Sequence, residues 1–275
     1  MNGDTPKISV CVPVYNGQAF LRPCLESVLN QTRRDFELVV LDNASRDASM
    51  EIIRSLMRDS GDPRLRLEQN AHTLSMGANW NRALSLARGD FVKILPCDDE
   101  LAPDCLEKQA AVLENHPRVA LVACARQLIG PDGGELHIRR TFRKKGIHPG
   151  RTFARRLLFS TLNLIGEPGA GLFRRRDLAD LELFDPDLSY YVDVDFWLRI
   201  LDRGDLYYFP EPLSRFRIHG ASASASARHR VAGEYRRMFL KREKRPPGPL
   251  QNLRLLLLLN LRDFLYNHFI GKGRP

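Results

Sequence analysis

The sequence predicts an α/β fold built on a mostly parallel sheet. The first ~115 residues alternate four times between a short apolar, β-branched run and a segment with helical spacing. The apolar runs contain few polar residues, which is typical of parallel strands covered by helices on both faces. Polar residues then collect where these runs end, at the edge where open α/β sheets bind ligands.

The first half supplies four strand–helix units. Asp47 is placed to cap the second helix, and Gly89 ends the third helix as a C′ glycine. Pro103 fits the first turn of the fourth helix, where its missing N–H costs nothing. The predicted strands are residues 8–15, 36–41, 64–68 and 91–95, and the predicted helices are 19–30, 47–57, 75–88 and 101–114.

The second half is less regular. Residues 131–134 (PDGG) predict a turn, and the small, polar residues 221–227 predict a mobile loop or linker. The remaining pattern predicts strands at 119–128, 170–174, 206–209 and 213–218, and helices at 152–159 and 193–201.

Length and composition exclude several classes of protein. With 275 residues, 43% hydrophobic and 27% charged, the chain is that of an ordinary globular protein rather than a fibrous or disordered one. No uncharged apolar run reaches 18 residues and no signal peptide is recognisable, so we expect a cytoplasmic protein. The five cysteines are odd in number and lack CxxC spacing, which argues against a disulfide framework or a zinc site.

The net charge of +9 lies entirely in the last segment. Residues 228–275 hold 12 Lys or Arg against 3 Asp or Glu, whereas the preceding residues are neutral as a whole. The same segment is rich in Leu and Phe, which suits a helix on an anionic membrane surface. A helix packed on the body or on a second copy in a homodimer is the alternative, and no motif supports nucleic acid binding. A second basic cluster, with no acidic residue inside it, comprises Arg139, Arg140, Arg143, Lys144, Lys145, Arg151, Arg155 and Arg156.

The residues that could carry chemistry are acidic. No dinucleotide fingerprint, P-loop or nucleophile elbow occurs. Asp98 and Asp99 follow a predicted strand on a loop, where they could bind Mg²⁺ or Mn²⁺ or simply precede a helix. Asp42 follows another buried strand and could bond a base or ribose, or close an Asx turn. Asp193 and Asp195 begin a predicted helix, and at most one of them could face a cleft as a general base.

Six segments in this order resemble glycosyltransferase family 2, whose members have the GT-A fold. The resemblance covers about residues 7–226. The segments are ISVCVPVYNG (8–17), DFELVVLDNASRD (35–47), GANWNRALSLARGDFVKILPCDDEL (77–101), GEPGAGLFRR (166–175), FDPDLSYYVDVDFWLRIL (184–201) and PEPLSRFRIHGASAS (210–224).

The resemblance implies a role for each matching residue. Asp193 matches the catalytic base, and Arg217 matches a residue near the diphosphate. The metal region corresponds to Asp98, Asp99 and His219, with Mn²⁺ or Mg²⁺ as the expected ion. The nucleotide-binding positions correspond to Pro13, Tyr15, Asn16, Asp42, Asn81, Arg82 and Asp98.

The resemblance also implies a division of the chain. Residues 1–226 would form the GT-A domain, with a nucleotide-sugar half (about 1–115) and an acceptor half (about 116–226). Residues 227–275 would form a basic, Leu-rich helical extension, and the Ser/Ala loop would close over the donor.

The expected function is an inverting, metal-dependent transfer of a sugar from a nucleotide-sugar, with a UDP-sugar as the expected donor. The expected acceptor is a lipid-linked saccharide in surface polysaccharide synthesis, at the inner face of the cytoplasmic membrane. Many members carry Asp where this chain has Pro96, which keeps a non-catalytic nucleotide-sugar-binding relative as an alternative. A sugar-1-phosphate nucleotidyltransferase is a weaker alternative, because the loop after the first strand is not Gly-rich with an Arg.

Overall fold

A computed structural model describes residues 5–222 and 230–265, without the side chains of residue 258 and residues 260–265. In this part of the chain the strands are β1 (Ile8–Val14), β2 (Phe36–Asp42), β3 (Leu65–Gln69), β4 (Phe91–Ile94), β5 (Glu100–Leu101), β6 (Val119–Ile129), β7 (Glu135–Arg139), β8 (Gly146–His148), β9 (Leu172–Arg174) and β10 (Asp205–Arg217). The helices are α1 (Leu21–Leu29), α2 (Ser49–Ser60), α3 (Met76–Ser85), α4 (Cys105–Asn115), α5 (Gly150–Ser160), α6 (Val192–Ile200), α7 (Val231–Glu243) and α8 (Pro249–Leu265).

One mixed sheet organises the molecule in the order β3-β2-β1-β4-β9-β6-β10-β5. The first four strands of this order are mutually parallel, and β6 and β10 form a second parallel pair. Strand β9 runs antiparallel to both β4 and β6 and so joins the two parallel parts. The predicted α/β fold with a mostly parallel sheet is confirmed.

Helices cover both faces of the sheet because its central strands are apolar on both sides. Along β1, Val10 and Val12 face a hydrophobic cluster with α1, α2 and α4, whereas Cys11 faces a cluster with α3, α5 and α6. Both clusters also take buried residues from β6. This arrangement explains why the strands read as continuous apolar runs.

Two details differ from the sequence prediction. The strands predicted at 206–209 and 213–218 form one strand, β10, whose register shifts around the prolines of FPEP. Proline has no N–H to donate to the neighbouring strand, so these prolines interrupt the strand pattern in the sequence although the strand itself continues. The short strands β5, β7 and β8 were not predicted, because two to five residues carry little periodicity.

The C-terminal extension begins as part of the body. Tyr235 and Phe239 of α7 are fully buried in the same hydrophobic cluster as α5 and α6. Glu234, also buried, accepts the backbone N–H groups of residues 189–191 at 2.7–3.1 Å and so fixes the segment directly before α6. The Ser/Ala loop from residue 223 onward and the chain after residue 265 lie outside the described residues. Within the described residues, no helix is both long and apolar enough to cross a bilayer.

Candidate active site

Asp98 and Asp99 lie on the loop between β4 and β5, next to the end of β10. The Asp99 N–H donates to the Pro96 carbonyl (3.1 Å), which closes a turn. Because β5 pairs with β10, this loop meets the residues that follow β10, and Asp98 Oδ2 lies 2.9 Å from His219 Nε2. The pairing therefore brings together two segments that are 121 positions apart in the chain.

Arg217 holds these two segments together. Its guanidinium is buried and donates to the carbonyl oxygens of Asp98 (3.0 Å) and Gly130 (3.0 Å) and to the carboxylate of Glu100. Its guanidinium carbon also lies 4.8 Å from the centroid of the Phe20 ring. Each nitrogen of this guanidinium already has a protein partner. A guanidinium carries five N–H groups, so the second N–H of Nη2 remains for the predicted contact with a diphosphate.

Asp99 is more deeply buried than Asp98. Its Oδ1 accepts the Arg217 backbone N–H at 3.0 Å, and only 2% of the residue is exposed. Burial, and then the neighbouring charge of Asp98, raise the pKa of the Asp99 carboxyl well above its ordinary value. Asp98 is the more accessible of the two carboxylates, so it is the better placed to meet a ligand.

Asp193 lies in the first turn of α6 with its carboxylate held at both oxygens. Oδ1 accepts the Val194 N–H (2.7 Å), and Oδ2 accepts Asn163 Nδ2 (2.7 Å). Burial, and then the charge of Glu167, raise the pKa of Asp193 to about 7. A carboxylate with a pKa near neutrality is suited to accept a proton and return it.

Glu167 connects the Asp193 side of the site to the carboxylate loop. Its charge raises the pKa of Asp193 and also that of Asp99. Its own carboxylate lies 2.9 Å from Nε of the buried Arg126. Glu167 therefore links Asp193 electrostatically to Asp99, and we call Asp98, Asp99, Glu167 and Asp193 the acidic cluster. The GEPGAG segment carries part of the family resemblance, but the sequence did not predict Glu167 as a site residue.

Buried polar side chains fix the backbone of that segment. Lys93 on β4 is fully buried, and its Nζ donates to the carbonyl oxygens of Gly169 and Gly171, each at 2.8 Å. Gln109 donates to the Ala170 carbonyl at 2.8 Å. A buried ammonium bonded to two carbonyls is a strong constraint, because moving either carbonyl would leave a charge without a partner. Sequence reasoning also missed Lys93, whose only signal is a charge inside an apolar strand.

The predicted nucleotide edge lies at the carboxyl end of β2. Asp42 is fully buried, and its Oδ2 accepts the Ser45 N–H (3.2 Å) and Gln69 Nε2 (3.3 Å). Its Oδ1 is buried without a hydrogen-bond partner in the described structure, and such an atom is expected to have one. Arg82, which is exposed, donates to the Gln69 carbonyl at 3.4 Å and so lies beside this carboxylate.

The turn after β1 adjoins this edge. Pro13 is buried and pairs in register with Leu41 of β2, so it shapes the strand end. Tyr15 is 49% exposed and is free to cover a planar ligand. Asn16 has a left-handed backbone (φ 50°), and its Oδ1 accepts the Arg46 N–H at 2.9 Å, which ties the turn to the loop after β2.

The side chains of Asn81 and Asp195 bond to other parts of the protein. The Asn81 amide both donates to the Phe184 carbonyl (2.8 Å) and accepts its N–H (2.9 Å), so it joins α3 to the segment before α6. Asp195 forms an ion pair with Arg199 one turn along α6. Of the two acidic residues at the start of this helix, Asp193 is therefore the one that belongs to the acidic cluster.

The predicted metal ligands are only partly brought together. Within residues 5–222 and 230–265, no three His, Cys, Asp or Glu side chains converge as a metal-binding group. Asp98 and His219 do converge, and both are partly exposed. Mg²⁺ and Mn²⁺ are often bound by one or two protein ligands, with substrate phosphates completing the shell. The Asp98–His219 pair fits that kind of cation site.

The fold and the site define an α/β protein with a cluster of interacting acidic side chains, Asp98, Asp99, Glu167 and Asp193. Residues 9–181 match the family model described as "Glycosyl transferase family 2". The chain belongs to glycosyltransferase family 2, as the sequence motifs predicted. An uncharacterized Mycobacterium tuberculosis protein, MT1568, is 35% identical over 221 residues, which cover 78% of this chain and 68% of that protein.

Solved structures show the same fold. Staphylococcus aureus TarS 1–349, in complex with UDP-GlcNAc, matches with a TM-score of 0.71 at 19% identity, over 96% of this chain and 73% of that one. The mannosyltransferase PcManGT from Pyrobaculum calidifontis, in complex with GDP-Man and Mn²⁺, matches with a TM-score of 0.66 at 21% identity, over 97% and 71% of the two chains. The predicted GT-A fold is confirmed.

Proposed function

We propose that this glycosyltransferase transfers a sugar from a nucleoside diphosphate sugar to an acceptor hydroxyl with inversion at the anomeric carbon, and that Asp193 is the base. The observation that carries the proposal is the buried Asp193 carboxylate, which has its pKa raised to about 7 and is coupled through Glu167 to the loop that holds Asp98 and Asp99. The ligands of the two structural neighbours, UDP-GlcNAc and GDP-Man, support a nucleotide-sugar donor. We expect a UDP-sugar.

The reaction needs one displacement. The acceptor oxygen forms a bond to the anomeric carbon while the bond from that carbon to the diphosphate breaks, and its electron pair leaves with the diphosphate. The hydroxyl proton passes to the Asp193 carboxylate, which retains accepting capacity beyond its two hydrogen bonds. The nucleophile belongs to the acceptor, so the protein needs no activated Ser or Cys.

Asp98 and His219 would hold a divalent cation, Mn²⁺ or Mg²⁺, which would supply positive charge against the diphosphate leaving group. Arg217 would act mainly by fixing the Asp98 backbone. Asp42, with its unpartnered Oδ1, would accept a hydrogen bond from the base or ribose. Arg82 and Tyr15 would complete the nucleotide contact.

The acceptor is proposed to be a lipid-linked saccharide in surface polysaccharide synthesis, at the inner face of the cytoplasmic membrane. The exposed leucines of α8 and the positive charge of the last segment support this location. The family match leaves no support for the nucleotidyltransferase alternative. A relative that binds nucleotide-sugar without turnover would keep the donor contacts but form no product.

Thermal unfolding with UDP, GDP, dTDP and CDP, each with and without Mn²⁺, tests the donor. A nucleotide at ~100 times its Kd adds roughly 2.7 kcal/mol, which is on the order of 5–10 °C for a domain of this size. We expect one nucleotide, UDP, to give this shift with Mn²⁺ and a smaller one without it. Absence of a shift with all four would contradict the proposal.

A further inference from the structure

The described part of α8 exposes leucines on its outer side. Leu253 and Leu257, one turn apart, are 53% and 59% exposed, and Leu250 and Leu256 are exposed to a similar extent. Leu255 is buried against the body. The helix is therefore anchored by one face while another apolar face has no protein partner among the described residues. A contiguous group of exposed leucines usually marks a binding surface.

Arginines cluster on the neighbouring helix α5. Arg151 and Arg155 lie one turn apart and are exposed, as is Arg156. With Thr152 and Phe159 they line an open depression of about 630 Å³. None of these three arginines forms an ion pair with an acidic residue in the described part of the chain. Their charge is uncompensated and available to an anionic partner.

Phe159 and Phe142 join the charged and apolar parts into one surface. The Arg155 guanidinium lies 5.6 Å from the Phe159 ring centroid, and Arg254 of α8 donates to the Phe159 carbonyl at 3.0 Å. Arg156 lies 5.3 Å from the Phe142 ring centroid, next to the basic residues 143–145. Leucines on α8 and arginines on α5 are therefore adjacent through direct contacts.

We propose that α5 and α8 form a docking surface for a bilayer that contains anionic phospholipid. Leucines can enter the acyl region while arginines bind headgroup phosphates, and a bilayer offers both environments side by side. A second copy of this chain suits the surface less, because an isologous contact would place one arginine cluster against another. A nucleic acid would leave the leucines facing phosphates. The evidence for this docking surface is the exposure of the α8 leucines and the charge of the α5 arginines. Its use for a lipid-linked acceptor rests on the proposed function.

Flotation of the full chain with vesicles of phosphatidylcholine alone, or with phosphatidylglycerol added, tests the proposal. We expect binding to the anionic vesicles that falls with added salt, and little binding to the neutral ones. An arginine near an anionic surface contributes about 1 kcal/mol, so R151Q/R155Q should weaken binding about 25-fold. Removing two exposed leucines in L253S/L257S should weaken it at least about tenfold.

The matched control is R54Q/R58Q on α2, which removes two exposed arginines at the same spacing from a helix on the other face of the sheet. It should bind like the wild type, and all three variants should unfold at similar temperatures. Equal binding to neutral and anionic vesicles, equal loss in the control, or no vesicle binding would each overturn the proposal. A dimer that L253S/L257S dissociates, without vesicle binding, would assign the surface to a second copy. Vesicle binding requires no turnover, so its failure is separate from failure of the proposed reaction.

Discussion

Asn163 Nδ2 lies 2.7 Å from Asp193 Oδ2 and 2.9 Å from the carbonyl oxygen of Gly166. One amide therefore holds the proposed base and, at the same time, the backbone next to Glu167. The Asn163 Oδ1 in turn accepts the Gly166 N–H at 2.9 Å. This geometry links the position of the base to the residue whose charge raises its pKa, and it allows the two effects to be tested separately.

Asp193→Asn should abolish turnover while donor binding persists. The amide keeps the shape of the side chain but cannot accept the hydroxyl proton, and a general base contributes roughly 10²–10⁴-fold. We expect kcat to fall by about that factor, while the nucleotide-dependent shift in Tm stays within a degree or so. Near wild-type product formation would show that Asp193 is not the base. Asp195→Asn offers a comparison at the same helix end.

The pH dependence of kcat/KM should report the raised pKa of Asp193. The base must be ionised to act, so kcat/KM should rise tenfold per pH unit and level off near pH 7. Glu167→Gln removes a charge that raises this pKa, so the rise should move to lower pH. Glu51→Gln, on the outside of α2, is the control and should leave the profile unchanged. A profile that Glu167→Gln does not move would contradict the coupling.

Asn163→Ala should move the same profile in the opposite direction. Loss of the amide removes a hydrogen bond to the ionised carboxylate, which favours the protonated form and raises its pKa. We expect kcat to fall about tenfold near neutral pH and to recover partly at pH 9, with little change in the KM for the donor. A loss that is the same at every pH would indicate a purely structural role.

Stability should also depend on Asp193. Its pKa is higher in the folded state (about 7) than its ordinary value of 3.8, so the folded state binds the extra proton. That contribution is fully present below the unfolded pKa and is lost as pH rises through about 7. Urea unfolding at pH 5 and pH 8.5 should show that the wild type loses roughly 2.5–3 kcal/mol more than Asp193→Asn between these values. Equal losses would mean that the carboxylate is not desolvated as described.

Arg217→Lys tests whether Arg217 organises the loop or binds the diphosphate. A lysine cannot make the forked contacts to Asp98, Gly130 and Glu100, so we expect a loss of about 2–4 kcal/mol in unfolding free energy. Arg215→Lys, at a more exposed ion pair with Glu100, should lose less than about 1 kcal/mol. Unchanged stability with lost nucleotide binding would instead support a direct ligand contact.

The first half of the fold followed from the sequence because its signals are local and long. The strand predicted at 36–41 and the helix predicted at 47–57 each carry periodicity over several residues, and the structure has β2 at Phe36–Asp42 and α2 at Ser49–Ser60. The short strands β5 and β8 escaped prediction because they exist only by pairing with β10. The Ser/Ala loop predicted to close over the donor lies outside the described residues and stays a prediction.

The site residues also divide into those that the sequence predicts and those that only the structure shows. Asp98, His219 and Asp193 could be predicted as site residues because they stand in recognisable motifs. Glu167 and Lys93 were not, since their roles arise from neighbours that are 26 and 76 positions away in sequence. The diphosphate contact of Arg217 stays a prediction, and the structure adds the bonds from its guanidinium to Asp98, Gly130 and Glu100.

The sequence by itself determined the family, the sheet and the acidic residues at its edge, because apolar periodicity and short motifs are local properties of the linear sequence. Only the tertiary structure decided which acidic residue belongs to the acidic cluster, since Asp193 is coupled to Glu167 whereas Asp195 pairs with Arg199. It also decided the pKa of Asp193, because desolvation and the charge of Glu167 act through space. The adjacency of the α5 arginines to the α8 leucines, through Phe159, depends equally on packing between segments about 100 residues apart.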